Sequence, residues 1–146
     1  MERKEFSIEI NAPKEKVWNV LWDMESFRQY TTPFCEGSYV ETTWEEGTEA
    51  RFLNTDGFGS LATVRENNPP NLMLIEIIGI IKDDVVDKRS ELAEKWKGAI
   101  EKYTLSSDGQ GVKLLVEADI SEELMSDFEK AWPEALEIIK DLSEKS

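Results

Sequence analysis

From residue 38 onward the chain alternates apolar and polar residues with a period of two, in six runs, before one long amphipathic segment closes it. The runs are "SYVETTW", "TEARFLN", "LATVRE", "LMLIEIIGII", "AIEKYTLS" and "VKLLVEAD". Alternation of this kind marks half-buried strands. Turn chemistry separates them: Glu46-Gly47, "NTDGFG", "NNPPN" and "SSDGQG". Separators this short join antiparallel neighbours, because a parallel pair needs a crossover of roughly a dozen residues or more. One connection is longer, "KDDVVDKRSELAEK" at residues 82–95. Its Asp83, Asp84 and Asp87 lack the spacing of a calcium loop and read as a solvated charged loop. Gly57 and Gly59 follow no strand-to-helix step, so they read as turn residues and not as a phosphate cradle.

The N-terminal stretch adds one more strand. Phe6, Ile8 and Ile10 share a face opposite Ser7 and Glu9 over residues 5–10. "NAPKEKVWNVLWD" follows as a short helix, with Pro13 suited to the first helical position, Asn11 or Ala12 before it at the cap, and Val17, Trp18, Leu21 and Trp22 on its apolar face. "MESFRQYTTPF" predicts a second short helical turn that ends before Pro33. The last segment is capped by Asp119 or Ser121. Its apolar stripe runs through Leu124, Phe128, Ala131, Ala135, Ile138 and Leu142, widened by Met125, Trp132, Leu136 and Ile139. Pro133 interrupts this helix, yet it projects to the middle of the polar face. There the freed carbonyl of Glu129 points to water, and the bend curves the apolar side around what it covers.

The expectation is an α+β fold: a strand, two short helices, six further strands and a long C-terminal helix, with a curved antiparallel seven-stranded sheet wrapped around that helix. At 146 residues the chain reads as a single domain, 1–146, able to bury roughly 70% of its unfolded-state surface. A curved sheet holding one helix leaves space between the layers, and such spaces take small ligands.

Composition removes several functions. Lys plus Arg at 17 against Asp plus Glu at 31 gives a net charge of −14, which repels nucleic acid and anionic lipid surfaces. With no histidine, there is no Ser-His-Asp or Cys-His device and no His-Glu-x-x-His metal site. No metal, cofactor or catalytic residue is assigned. No apolar run is long enough for membrane insertion, and the basic start lacks the apolar stretch of a secretory signal. Cys35 stands alone and fits a reducing cytoplasm, so a cytoplasmic monomer is expected.

Three stretches carry a family resemblance: "INAPKEKVWNVLWD", with Ala-Pro followed four and five residues later by Val-Trp; "VRENNPPNLMLI", a proline hairpin; and "SSDGQGVKLLVEADISEELMSDFEKAWPEALEIIKDL", a last hairpin running into the long helix. In this order they resemble the START/Bet v 1-like superfamily, also called SRPBCC, with its helix-grip fold. Within it the chain is similar to the branch of the activator of heat-shock protein 90 ATPase. The resemblance implies an elongated apolar cavity between sheet and long helix. It also implies ligands such as lipids, sterols or polyketides, cyclase or aromatase activity in some members, and a co-chaperone role in the activator branch.

The candidate ligand-binding residues are Glu76, Trp96, Glu101, Tyr103, Phe128, Trp132 and Leu136. Ala99, Glu101, Tyr103 and Leu105 alternate along one strand, and the resemblance places its Tyr-x-Leu pair inward, which carries Glu101 inward too. A carboxylate facing an apolar interior must be paired or protonated. For Glu101 and Glu76 the competing reading is a salt bridge to Arg51, Arg65 or Lys102, or exposure at a strand end. Trp96, Trp132, Phe128 and Tyr103 either line the cavity or pack as ordinary core. Trp18 and Trp22 brace the short helices, and Tyr30, Phe34 and Trp44 are placed at the cavity mouth. Three functions follow, in this order: a binding protein for a small hydrophobic molecule, lipid-like or polyketide-like; a co-chaperone-like module whose partner is a chaperone or other protein; and a carboxylate-based cyclase with Glu101 as base and Tyr103 as oxyanion donor.

Overall fold

The period-two runs become the strands of one antiparallel sheet, and the amphipathic segment becomes the helix laid across it. The computed structural model describes residues 1–145. In chain order the elements are β1 (Glu2–Ile10), α1 (Lys14–Trp22), α2 (Met24–Tyr30), β2 (Tyr39–Glu41), β3 (Glu49–Leu53), β4 (Gly59–Asn68), β5 (Leu72–Lys82), β6 (Val85–Asp87), α3 (Glu91–Trp96), β7 (Ile100–Asp108), β8 (Gly111–Ile120) and α4 (Glu122–Glu144). The strands lie in the order β1-β8-β7-β5-β4-β3-β2, with β6 paired to the end of β5. Every pairing is antiparallel. Two register shifts in the β4–β5 pair, which leave Ile78 of β5 and Arg65 of β4 without a partner in register, are bulges of the kind that bend a strand and increase its twist.

The sheet has eight strands where the alternation predicts seven, and the extra one lies in the connection at 82–95. Asp83 and Asp84 both take left-handed backbone angles, φ of 51° and 62°, so the chain reverses in two residues and Val85 pairs with Lys82. A two-residue turn with both φ values positive matches the twist of the flanking strands, and Asp tolerates it better than most residues. Ser90 then accepts a hydrogen bond from the Ala93 N–H and starts α3. The charged loop is therefore a hairpin and a capped helix.

Smaller differences have local causes. The β2 strand stops at Glu41 because the Thr42 hydroxyl accepts from the Trp44 N–H and turns the chain. Helix α1 begins at Lys14 with Pro13 itself at the cap, one residue later than the sequence reading. Ser121 occupies the cap of α4, while the Asp119 carboxylate accepts from Arg3 and from the Ile100 N–H, joining β1, β8 and β7.

One face of the sheet forms the core together with α1, α2 and α4. Fully buried members include Leu114, Val116, Ile75, Val17 and Leu21. On α4 the buried stripe runs through Ala131, Trp132, Ala135, Leu136 and Ile139, and Pro133 faces solvent as its projection requires. The helix continues through Pro133 for 23 residues, about 35 Å. Among the described residues no helix is long and apolar enough to cross a membrane.

Candidate functional site

Between the N-terminal half of α4 and the β2–β5 side of the sheet the two layers do not meet. A cavity of about 370 Å³ opens there. Its walls come from α2 (Phe27, Tyr30), the α2–β2 loop (Phe34, Cys35), the β3–β4 hairpin (Phe52, Phe58), α3 (Trp96), β7 (Glu101, Tyr103) and α4 (Leu124, Phe128, Trp132). The size falls within the range of small-molecule pockets.

The walls are braced by aromatic contacts. Phe34 stands edge-on to both Phe128 and Trp132 with ring centres 5.0 Å away in each case, so the α2–β2 loop is docked on α4. Phe27 contacts Phe52 at 6.0 Å across the cavity's far wall. Gly59 forms part of the lining because β3 passes so close that a Cβ there would strike the Phe52 carbonyl.

Among the described residues Glu101 is the only charged one in the lining. Period-two geometry on β7 turns Glu101, Tyr103 and Leu105 to the helix side, opposite Ala118, Val116 and Leu114 of β8. The Tyr103 hydroxyl donates to Glu101 Oε1 at 2.9 Å. Burial pushes the Glu101 carboxyl above the usual carboxylate range, and the Tyr103 hydrogen bond offsets part of that rise. Glu101 is partly exposed, on its cavity side. The Tyr103 and Tyr30 phenols are both raised well above their ordinary value, first by burial and then by the neighbouring Glu101 charge. Among the described residues the ion pairs all lie elsewhere, so no lysine or arginine neutralises Glu101.

A second layer holds Tyr103 in place. Its ring packs edge-on against Trp22 at 4.9 Å and near Trp132 at 6.1 Å. Trp22 in turn packs against Trp44 at 4.8 Å, and the Trp44 indole donates to the Trp22 carbonyl at 3.0 Å. Trp44 adopts φ of 62°, which is strained for a bulky residue. The Asn67 side-chain amide, donating to the Trp44 carbonyl at 2.8 Å, helps to hold it there. Trp44 is thus a brace behind the cavity floor, outside the lining, whereas Tyr30 and Phe34 do line it. Trp22 braces Tyr103 as well as the short helices.

Of the candidate residues, the structure brings Trp96, Glu101, Tyr103, Phe128 and Trp132 to one cavity. It does not bring Glu76 or Leu136. Glu76 lies on the opposite side of β5 from Ile75 and accepts from Arg65 Nε at 2.9 Å, the salt-bridge alternative. Leu136 is buried in the packed core, one helical turn past Trp132. Sequence reasoning missed Phe27, Phe52, Phe58 and Tyr39. Phe52 carried a signal, since it alternates with Ala50 on the inner face, but Phe58 sits in a turn where no periodicity operates.

No family model and no curated sequence matches this chain. Solved structures do. The Aha1 dimer from Colwellia psychrerythraea aligns with a TM-score of 0.74 at 15% identity, over 99% of this chain and 97% of that one. Protein CV1439 from Chromobacterium violaceum aligns with 0.73 at 16% identity over 100% of both chains. CalU16 from Micromonospora echinospora gives 0.65 at 17% identity over 97% of this chain and 76% of its own. The likeness is one of fold. An antiparallel sheet gripping a long C-terminal helix is shared by all, which establishes the helix-grip architecture and leaves activity open.

Proposed function

We propose that this chain is a single-domain, monomeric member of the START/Bet v 1-like superfamily that acts in the cytoplasm as a binding protein for a small, mainly hydrophobic molecule. The observation that carries this reading is the cavity of about 370 Å³ between sheet and α4, walled by aromatic side chains and holding one buried acidic hydrogen-bonding pair. Apolar walls with a few placed polar groups are the usual make-up of a small-molecule site. Native mass spectrometry of the purified protein should show an added small-molecule mass. Apolar compounds should quench the tryptophans, and Ser60→Phe, which fills the cavity from β4, should abolish both signals with the fold retained. A spectrum of bare chain, with no quenching by any compound of an apolar panel, would overturn the reading.

A second reading is a protein-binding role like that of the activator branch, favoured by the alignment with the Aha1 dimer and by the net charge of −14. Its test is calorimetric titration with heat-shock protein 90 at two ionic strengths. Contacts made by exposed charge weaken as salt rises, so absence of heat at low salt ends this reading. The cyclase reading is less well supported, because the Tyr103 hydroxyl proton is already committed to Glu101 and not presented to a developing oxyanion.

A further inference from the structure

The charge pattern of the cavity restricts what kind of hydrophobic molecule suits it. Most apolar carriers must also accommodate a polar end, and a fatty acid or other anionic ligand needs a lysine, an arginine or a helix N-terminus to meet it. Among the described residues none that lines the cavity is cationic, and Glu101 is the only charged one.

The groups that face Glu101 are all neutral or acidic. On its own strand Tyr103 donates to one carboxylate oxygen, leaving Oε2 with no protein partner among the described residues. Tyr30 approaches from α2, and its proton already goes to the Leu21 carbonyl at 2.6 Å. Ile75 of β5 and Ala118 of β8 flank Glu101 in register. Phe128 and Trp132 line the cavity from α4, and Cys35 from the α2–β2 loop. None of these supplies a positive charge.

Two further features act in the same direction. Half of the lining residues are aromatic, Phe34, Trp96 and Phe128 among them, and aromatic faces attract cations, more strongly where water is excluded. The whole molecule carries −14, so its field raises the local concentration of cations and lowers that of anions.

We infer that the cavity takes a hydrophobic ammonium compound, an aryl or alkyl amine whose cationic nitrogen donates to the free oxygen of Glu101 while its apolar body lies among the aromatic walls. This rests on the ligand-binding reading above and names the chemical class of the ligand. An ammonium supplies the missing charge and donor at once, which an alcohol does only in part and a carboxylate does not.

The test uses three probes of one shape: phenylbutylamine, phenylbutanol and phenylbutyrate, titrated into the full chain with tryptophan fluorescence as readout. The amine should bind about tenfold more tightly than the alcohol, as a charge-assisted hydrogen bond in a desolvated site predicts, and the butyrate should bind most weakly. Glu101→Gln should bring the amine and the alcohol to equal affinity. Glu76→Gln removes the same charge from an exposed ion pair outside the cavity and should leave the preference intact, which separates the site from the general negative field. The wild-type series is decisive even if a variant misfolds. Binding of the alcohol as tight as that of the amine, or a preference for the butyrate, overturns this inference and leaves the ligand-binding reading standing. An amine preference that survives Glu101→Gln overturns the assignment to Glu101. Failure of all three probes to bind counts against both.

Discussion

On either side of Pro133, α4 meets two different environments. Beyond it, Ala135, Leu136 and Ile139 are 0 to 3% exposed, and the helix end is stitched to the β1–α1 turn by the Asn11 N–H donating to Glu144 at 2.9 Å. Before it, Leu124, Met125 and Phe128 are only half-buried, and the helix is held by Phe34 and by the Lys95–Glu123 ion pair. The filled half packs among branched aliphatic residues, which interdigitate at the density of an organic crystal. The hollow half faces large planar rings braced against one another. Rings held edge-on at fixed distances resist collapse into the remaining space, so the same helix closes a core at one end and roofs a cavity at the other.

The largest expected effect separates the halves directly. Ile139→Ala should lower unfolding stability by about 2–5 kcal/mol in urea titration, since a fully buried side chain is lost and a void remains. Phe128→Ala should lower it by only about 1 kcal/mol, while weakening binding of any apolar probe. Equal losses from the two substitutions would mean that the hollow half is packed after all, and the comparison would break.

The next effect belongs to the hollow half and depends on pH. Burial raises the Glu101 carboxyl in the folded protein, so the folded state holds this proton more tightly than the unfolded one. The ionised side chain therefore destabilises the fold, by an amount absent below the unfolded carboxylate range, at about pH 4. That penalty grows as pH rises through the window up to the raised folded value and is constant above it. Glu101→Gln should accordingly raise Tm at neutral pH, and the gain should shrink to nothing as the solution is acidified below that range. A Tm gain that persists unchanged in acid would show that the carboxyl is not desolvated.

The smallest effect sharpens the filled half. The Ser143 hydroxyl is buried there and has no hydrogen-bond partner among the described residues. Ser143→Ala should leave stability unchanged or raise it by up to about 1 kcal/mol in the same urea titration, because a buried polar group without a partner is costly. A clear loss would point to a hydroxyl that is satisfied in solution.

Much of this was legible in local pattern. The antiparallel strands, the two short helices and the exposed face of Pro133 follow from periodicity and turn length, which act over a few residues. Alternation along β7 puts Glu101 on one face with Tyr103 and Leu105, but that this face turns inward came from the family resemblance and not from the pattern. Strand β5 does not alternate: Leu72, Leu74 and Ile78 are apolar on one side and Met73, Ile75 and Ile77 on the other, so alternation said nothing about Glu76. Its face was set by pairing, which put it beside Arg65.

The arrival of Trp96 at the cavity depends on a two-residue Asp turn and a capped helix within a run that charge alone marks as loop. The hollow itself belongs to tertiary structure in the strictest sense. The lining side chains on strands and helices have a pattern explaining which way they point, but whether opposing side chains meet depends on sheet curvature and helix path summed over the whole chain. Local chemistry chose the walls. Their separation was decided only when the bent sheet closed on α4.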